Sequence, residues 1–390
     1  MKPQFEFLVG YFDHLHSEPS INFQLNRWIN YLGQDAIADI ETISSKLINI
    51  HSYKSEFRSL AEQALVKGEK LQAAYYFRSA EFFMKEEDPD KKKTRQKFIQ
   101  LIRDYFKISE KEYFEIPFTQ NGKTGFLPAY FFTHNSPKDT LVIHGGFDSY
   151  IEEFFPIILT IRDQGFNVIC FDGPGQGGAF CDHGLLLTPD WHRPVGSVLD
   201  YFKENDVTLI GISMGGCLAL RAAAFEKRIK RVVAYDVFYD WMETTLSKLT
   251  PIDLVLRILM SMKNPKPFDN MLGVIMNKSP LFEWAMHQAM PILGVSTAYE
   301  VFQKSRSYTT RDISSKINQD VLIMAGAEDH IIPVKHFYKQ ISDLDHARSK
   351  NARLFTRAEN AQNHCQIGNL KLAIDTIIQW IEVTLRNPLN

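Results

Sequence analysis

Apolar residues recur at helical spacing through the N-terminal part of the chain. Leu25, Trp28, Ile29 and Leu32 fall at i, i+3, i+4 and i+7, and Ile37, Ile40, Ile43, Leu47 and Ile50 continue the same period. The stretch "SEFRSLAEQALVKGEKLQAAYYFRSAEFFMKEE" predicts two helices broken at Gly68. No second copy follows at a fixed period. Residues 1–112 therefore read as a helical domain and not as a repeat array.

The period changes at Tyr113. "EYFEIPF" and "GFLPAYFF" flank "TQNGKT" and predict a hairpin that turns at Asn121-Gly122. Short apolar runs then alternate with helical stretches: "TLVIHGG" (140–146), "FNVICFDGPG" (166–175), "DVTLIG" (206–211), "RVVAYD" (231–236), "DVLIMAG" (320–326) and "ARLFT" (352–356). "NLKLAIDTIIQWIEVTL" adds a closing helix. This alternation predicts an α/β domain over 113–390, a mainly parallel sheet flanked by helices on both faces. Residues 238–312 interrupt it with Leu, Met, Phe and Trp at helical spacing. They predict a helical insertion before the penultimate strand, lying over the C-terminal edge of the sheet. Its methionines (Met242, Met260, Met262, Met271, Met276, Met286 and Met290) either line an adaptable apolar pocket or pack as plain helix core.

Composition narrows the partners. With 45% hydrophobic and 23% charged residues and a formal net charge of −2, no global field draws the chain to nucleic acid or an anionic membrane. The one basic run, "DPDKKKTRQK" (Asp88 to Lys97), lacks aromatic stacking partners and reads as a solvated loop entering a helix. "MKPQFEFLVGYFDHLHSEPS" has no continuous apolar core of a signal peptide, and no apolar run reaches the roughly 18 residues of a membrane span. The four cysteines (Cys170, Cys181, Cys217 and Cys365) lack CxxC spacing and read as reduced thiols. The expectation is a cytoplasmic protein acting on a small molecule without metal or cofactor.

The chemistry gathers at strand ends. In "DVTLIGISMGGCLALRAAA" a strand runs into Gly-Ile-Ser-Met-Gly and then a helix. That is the context a G-x-S-x-G nucleophile elbow needs, with Ser213 at the tip and the Met214 N–H beside any oxyanion that forms. A serine hydroxyl needs a base. Of twelve histidines, His364 in "AENAQNHCQIGN" follows the last predicted strand and opens on the same sheet edge. The orienting carboxylate is Asp329 in "VLIMAGAEDHIIP", with Glu328 as its neighbour; Asp236, at the end of "VVAYD", is the alternative. The chain order Ser, acid, His differs from both common serine-protease orders. "VIHGGFDSY" supplies a second oxyanion donor, the N–H of Gly146 or of Phe147, with His144 supporting the loop. "CFDGPGQGG" lacks the Lys-Ser/Thr of a phosphate-binding loop and reads as a turn leaving a strand.

Together these motifs resemble the α/β-hydrolase superfamily from Tyr113 to near the C-terminus. The helical N-terminal domain combined with "HGGFDS", "FDGPGQGG", "GISMGG", "GAEDHIIP" and "NHCQIGN" is similar to one branch of it. That branch holds FrsA-like esterases, the 2,6-dihydroxypseudooxynicotine hydrolase and fungal polyketide-shortening hydrolases. The resemblance implies an α/β-hydrolase fold whose N-terminal helices help cover the active site. It also implies hydrolysis of an ester, an amide or a ketone-adjacent C–C bond in a small apolar or aromatic, polyketide-like substrate. Gly178 departs from the pattern, which carries an acidic residue after "GPGQG". Candidate polar contacts to substrate are Asp148, Glu152, Glu153, Asp236, Tyr239 and Asp240. The same triad with a non-water acceptor would make an acyltransferase or cyclase. A non-catalytic interaction protein would instead use the helical N-terminal domain, whose faces are also the candidate surface for a homodimer.

Overall fold

Among the residues described, 5–262 and 264–386 of a computed structural model, five α-helices precede the first strand. They are α1 (Pro19–Leu32), α2 (Asp35–Ser44), α3 (Ile50–Lys67), α4 (Lys70–Phe82) and α5 (Lys91–Tyr105). Leu25, Trp28, Ile29 and Leu32 are all buried, as the period of α1 requires. Gly68, at φ 80°, closes α3 in the left-handed conformation that a residue without Cβ adopts freely. The unbroken period from Ile37 to Ile50 is not one helix. Asn49 and Ser52 form a capping box that starts α3 afresh, so Leu47 is buried from a turn between two helices.

The basic run at 88–97 also differs from expectation. Lys91 and Arg95 in the first turns of α5 are buried, not solvated. Lys91 pairs with Glu81 of α4 at 3.2 Å, and Arg95 pairs with Asp182.

The remaining chain builds one sheet: β1 (Tyr113–Gln120), β2 (Lys123–Phe132), β3 (Thr140–His144), β4 (Asn167–Phe171), β5 (Val207–Ile212), β6 (Ile229–Tyr235), β7 (Asp320–Gly326) and β8 (Ser349–Phe355). The spatial order is β1-β2-β4-β3-β5-β6-β7-β8. β1 and β2 pair antiparallel across Asn121 and Gly122, both at positive φ, which is the turn an Asn-Gly pair favours. β2 meets β4 antiparallel, and every later pairing is parallel. All six residues of β5 are buried, as a central strand covered on both faces must be. The covering helices are α6 (Phe155–Asp163), α7 (Gly177–Cys181), α8 (His192–Phe202) and α9 (Gly215–Ala223).

Between β6 and β7 stand α10 (Trp241–Ser247), α11 (Asp253–Ser261), α12 (Lys266–Met276), α13 (Pro280–Leu293) and α14 (Ala298–Ser305). A bridge from Asp240 to Thr309 closes the neck of this insertion. Met260 and Met286 are buried in its core, whereas Met262 is exposed. The chain ends with α15 (Lys335–Asp343) and α16 (Leu370–Arg386). The apolar core of α1 to α5 continues into the sheet: Trp28, Tyr75 and Phe98 share one cluster with Tyr130, Phe132 and Phe155. The N-terminal helices are therefore fused to the α/β unit by a common interior.

Candidate active site

β5 delivers Ser213 to the C-terminal edge of the sheet. The turn is tight enough that a Cβ on Gly211 would lie 2.0 Å from the Gly215 carbonyl oxygen, and one on Gly215 would lie 2.5 Å from that of Gly145. Only glycine fits either position. Ser213 itself is held at φ 61°, a backbone conformation that strains a non-glycine residue and persists because both flanks are packed. The hydroxyl is thereby presented above the sheet at the start of α9.

Two later strand ends complete the arrangement. His364 Nε2 lies 2.8 Å from Ser213 Oγ, and its Nδ1 lies 2.7 Å from Asp329 Oδ2. A carboxylate only accepts, so Nδ1 carries the proton and Nε2 is free to accept one from the serine. Asp329 Oδ1 accepts the N–H groups of Ile331 and Ile332 at 2.7 and 2.9 Å, which fixes the carboxylate. Burial disfavours the charged form of each partner, yet their mutual attraction wins. The Asp329 carboxyl is held below its ordinary range, and the imidazolium of His364, beside Asp329 and Cys365, persists well above the ordinary histidine range.

The loop after β3 lies against the elbow. A Cβ on Gly146 would lie 3.0 Å from Met214 N and 2.8 Å from the Ile212 oxygen. The Gly146 N–H is directed to Ser149 Oγ at 3.4 Å. Among the described residues the N–H groups of Met214 and Phe147 have no acceptor. Gln176 was not anticipated as part of the site. Its Nε2 donates to the carbonyls of both Gly145 and Gly146, at 2.7 and 2.9 Å. The glycine-rich turn thus braces the loop beside the serine, and Asp172 helps by accepting the N–H of Ile151 at 3.0 Å. His144 accepts the indole N–H of Trp191 at 3.1 Å, and burial lowers its pKa to about 4. It is a neutral support beneath the loop.

The α/β-hydrolase fold family matches residues 140–359, more than half of the chain. The chain belongs to that family. Curated relatives are named hydrolases or hydrolyases. Hydrolase acrC of Aspergillus aculeatus is 26% identical, with 76% of this chain and 78% of the relative covered. Alpha/beta hydrolase psoB of Aspergillus fumigatus is 27% identical, with 83% and 81% covered. Hydrolyase ccsE of Aspergillus clavatus is 28% identical, but this chain spans only 56% of its length. Among solved structures, the 2,6-dihydroxy-pseudo-oxynicotine hydrolase superposes with a TM-score of 0.62 at 19% identity, over 93% of this chain and 95% of that one. AbyA5 superposes with a TM-score of 0.65 at 16% identity, over 93% and 94%. Both extend through the N-terminal helices, so the likeness in fold covers nearly the whole hydrolase.

Several predicted substrate contacts of this hydrolase are occupied elsewhere. Glu153 is wholly buried, with its carboxylate held between Arg27 of α1 and Arg78 of α4. Asp148 gives its carbonyl oxygen to Arg78 at 2.5 Å, while its side chain lies 3.7 Å from Arg27. Glu152 accepts the Tyr130 hydroxyl at 2.6 Å. Tyr239 donates to Asp343 at 2.6 Å, and Asp240 caps α10 through the N–H of Glu243 at 2.9 Å. Apart from Asp240, which caps its own helix three residues on, each has a partner far away in sequence. Asp236, by contrast, does reach the centre, and its Oδ2 is 3.3 Å from His364 Nδ1. Asp236, His364 and Cys365 bring an oxygen, a nitrogen and a sulfur within 4.8 Å of one another, but the imidazole and both carboxylate oxygens already have protein partners. Gly178 has no room for an acidic side chain as the loop stands, since a Cβ there would lie 2.8 Å from Pro128 Cγ.

Aromatic rings from four elements roof the site. Phe23 of α1 is 4.6 Å from the ring of His330 and 6.2 Å from that of His364. Phe147 lies 5.5 Å from Trp241 of α10 and 6.4 Å from Trp284 of α13. Trp284 stacks on Phe82 of α4 at 4.8 Å and donates to its carbonyl at 2.9 Å. The loop that carries His364 is also tied to the N-terminal segment: Gly368 N–H donates to Asn30 Oδ1 at 2.9 Å, and its carbonyl accepts the Gly10 N–H at 2.7 Å. Among the described residues no helix is long and apolar enough to cross a membrane.

Proposed function

We propose that this member of the family is a serine hydrolase acting at an acyl carbon, with Ser213 as nucleophile, His364 as base and Asp329 as orienting acid. The observation that carries this reading is the continuous relay of 2.8 and 2.7 Å from serine to histidine to aspartate. His364 Nε2 takes the hydroxyl proton as Ser213 Oγ attacks the acyl carbon. The oxyanion of the tetrahedral intermediate accepts from Met214 N–H and Phe147 N–H. Of the two donors foreseen in the loop after β3, Phe147 is favoured because the Gly146 N–H is turned toward Ser149. His364 then protonates the leaving group and an acyl-enzyme forms. Water deprotonated by His364 attacks that ester and releases the acid.

The rings of Phe23, Phe147, Trp241 and Trp284 support an apolar or aromatic acyl group, and the bond is an ester, an amide or a C–C bond beside a ketone. A fluorophosphonate probe followed by peptide mass spectrometry tests the assignment. The expected result is one adduct, on Ser213. An intact protein that reacts elsewhere, or equally after Ser213→Ala, would overturn it.

A further inference from the structure

His364 faces two carboxylates, not one. Its Nδ1 is 2.7 Å from Asp329 Oδ2 and 3.3 Å from Asp236 Oδ2. The two acids arrive from neighbouring strands. β6 ends at Tyr235 and β7 at Gly326, and the strands pair in parallel register up to Tyr235 and Met324. Both loops therefore leave the same sheet edge side by side.

Asp236 is fully buried and bound on both oxygens: Oδ2 accepts the Cys365 N–H at 2.6 Å, and Oδ1 accepts from Gln366 Nε2 at 3.0 Å. Both donors belong to the two residues after His364, which sit at φ 49° and 50°. One carboxylate thus holds the strained segment that carries the imidazole while standing beside the imidazole's own N–H. Burying a second negative charge here is costly unless it meets positive charge. Burial and the charge of Asp329 push the Asp236 carboxyl up to about 7. The imidazolium of His364 pulls the other way, so the Asp236 carboxylate is favoured most when His364 holds the serine proton.

We infer that Asp236 is a second orienting carboxylate for His364, a positioning residue that keeps the Nδ1–H tautomer and steadies the imidazolium when Asp329 is absent. The inference rests on the proposed role of His364 as base. With Asp329 gone, a small rotation of the ring brings Nδ1–H onto Asp236 Oδ2 without moving the loop, because Cys365 and Gln366 already anchor the acid.

The test is a double-mutant cycle on kcat with an activated ester, using Asp329→Ala, Asp236→Asn and the double variant, with Ser213→Ala as the floor. Where a triad has no substitute acid, losing it costs about 10⁴ in kcat. Here Asp329→Ala is expected to lose only about 10²-fold, because Asp236 takes over the hydrogen bond to Nδ1. Asp236→Asn alone is expected to lose less than about tenfold, but in the Asp329→Ala background a further ~10²-fold. A purely structural aspartate would cost the same factor in both backgrounds. That result, or Asp329→Ala already at the floor, overturns the inference. If Asp236→Asn fails to melt like the wild type, Asp236→Ser, whose hydroxyl still accepts from Cys365, completes the cycle. The two readings fail separately. Full activity in Ser213→Ala sinks the hydrolase mechanism, whereas an inert Ser213→Ala with additive acids sinks only the role of Asp236.

Discussion

Arg78 of α4 donates through Nη2 to the carbonyl oxygen of Asp148, at 2.5 Å. The same guanidinium donates through Nε to Glu153 at 2.9 Å. A helix outside the α/β unit therefore grips the loop that carries Phe147. Arg78→Met would leave the Glu153 carboxylate with Arg27 and the Glu81 carboxylate with Lys91 and the Tyr150 hydroxyl, all of them buried. Losing one partner of a buried ion pair costs about 3–5 kcal/mol. The expected outcome is a clear drop in melting temperature together with a lower kcat, measured on the same preparation.

Gln176→Leu tests the glycine-rich turn as a brace. It removes three hydrogen bonds at once, two to the carbonyls of Gly145 and Gly146 and one accepted from the Gly173 N–H. Among the described residues only the Gly145 carbonyl keeps another partner, His144 Nδ1 at 3.0 Å. Each buried acceptor left unsatisfied costs about 1–3 kcal/mol. Because the proposed oxyanion donor Phe147 lies on that loop, kcat is expected to fall by roughly 10–10²-fold with KM little changed, short of the 10²–10³ lost with a whole donor. Steady-state kinetics on an activated ester reads this directly.

The pH profile follows from His364. Burial pulls its pKa down, but Asp329 and Cys365 outweigh burial and raise it well above the ordinary value. The base acts only when neutral. Activity is therefore absent below this pKa, and kcat/KM rises through a midpoint above the ordinary histidine value of about 6.5. Stability has the opposite sign. A raised folded pKa contributes stability that is fully present below about 6.5 and lost as pH climbs through the folded value. A kcat/KM profile and melting temperatures over the same pH series check both.

Trp284→Ala opens the roof above Phe147. It removes the stack on Phe82 and the edge contact to Phe147, the latter at 6.4 Å. If aromatic acyl groups pack there, KM for an aryl ester is expected to rise about tenfold, or ~1.4 kcal/mol, while an acetyl ester with the same leaving group changes less. Equal changes for both esters would place the aryl group elsewhere.

The convergence of Ser213, Asp329 and His364 was legible because each sits in a short local pattern at a strand end, and the parallel sheet brings those ends to one edge. Phe23, Arg27, Arg78 and Trp284 were not. They reach the site across long separations, 126 residues between Arg27 and Glu153, and nothing local marks them. The same distance hid the partners of Glu153 and Tyr239, read as substrate contacts, whereas Asp240 caps its own helix three residues on. Acidic residues on a loop read as available until their buried partners are seen. The charge run at 88–97 failed in the same way, since Glu81 and Asp182 take Lys91 and Arg95 out of solvent. Local chemistry overrode periodicity at Asn49, where a capping box starts α3 afresh after α2 has ended at Ser44. Gln176 did carry a signal, a lone amide inside a glycine-rich turn, but its meaning depended on which backbone carbonyls stood opposite.

The central claim is that Ser213 carries the acyl group. Its most direct measurement is turnover of an activated ester by wild type and Ser213→Ala, purified alike and shown to melt at the same temperature. The account predicts a fall of at least about 10³-fold in kcat, since removing a triad nucleophile leaves only oxyanion binding and proximity. Equal turnover by the two proteins would contradict it.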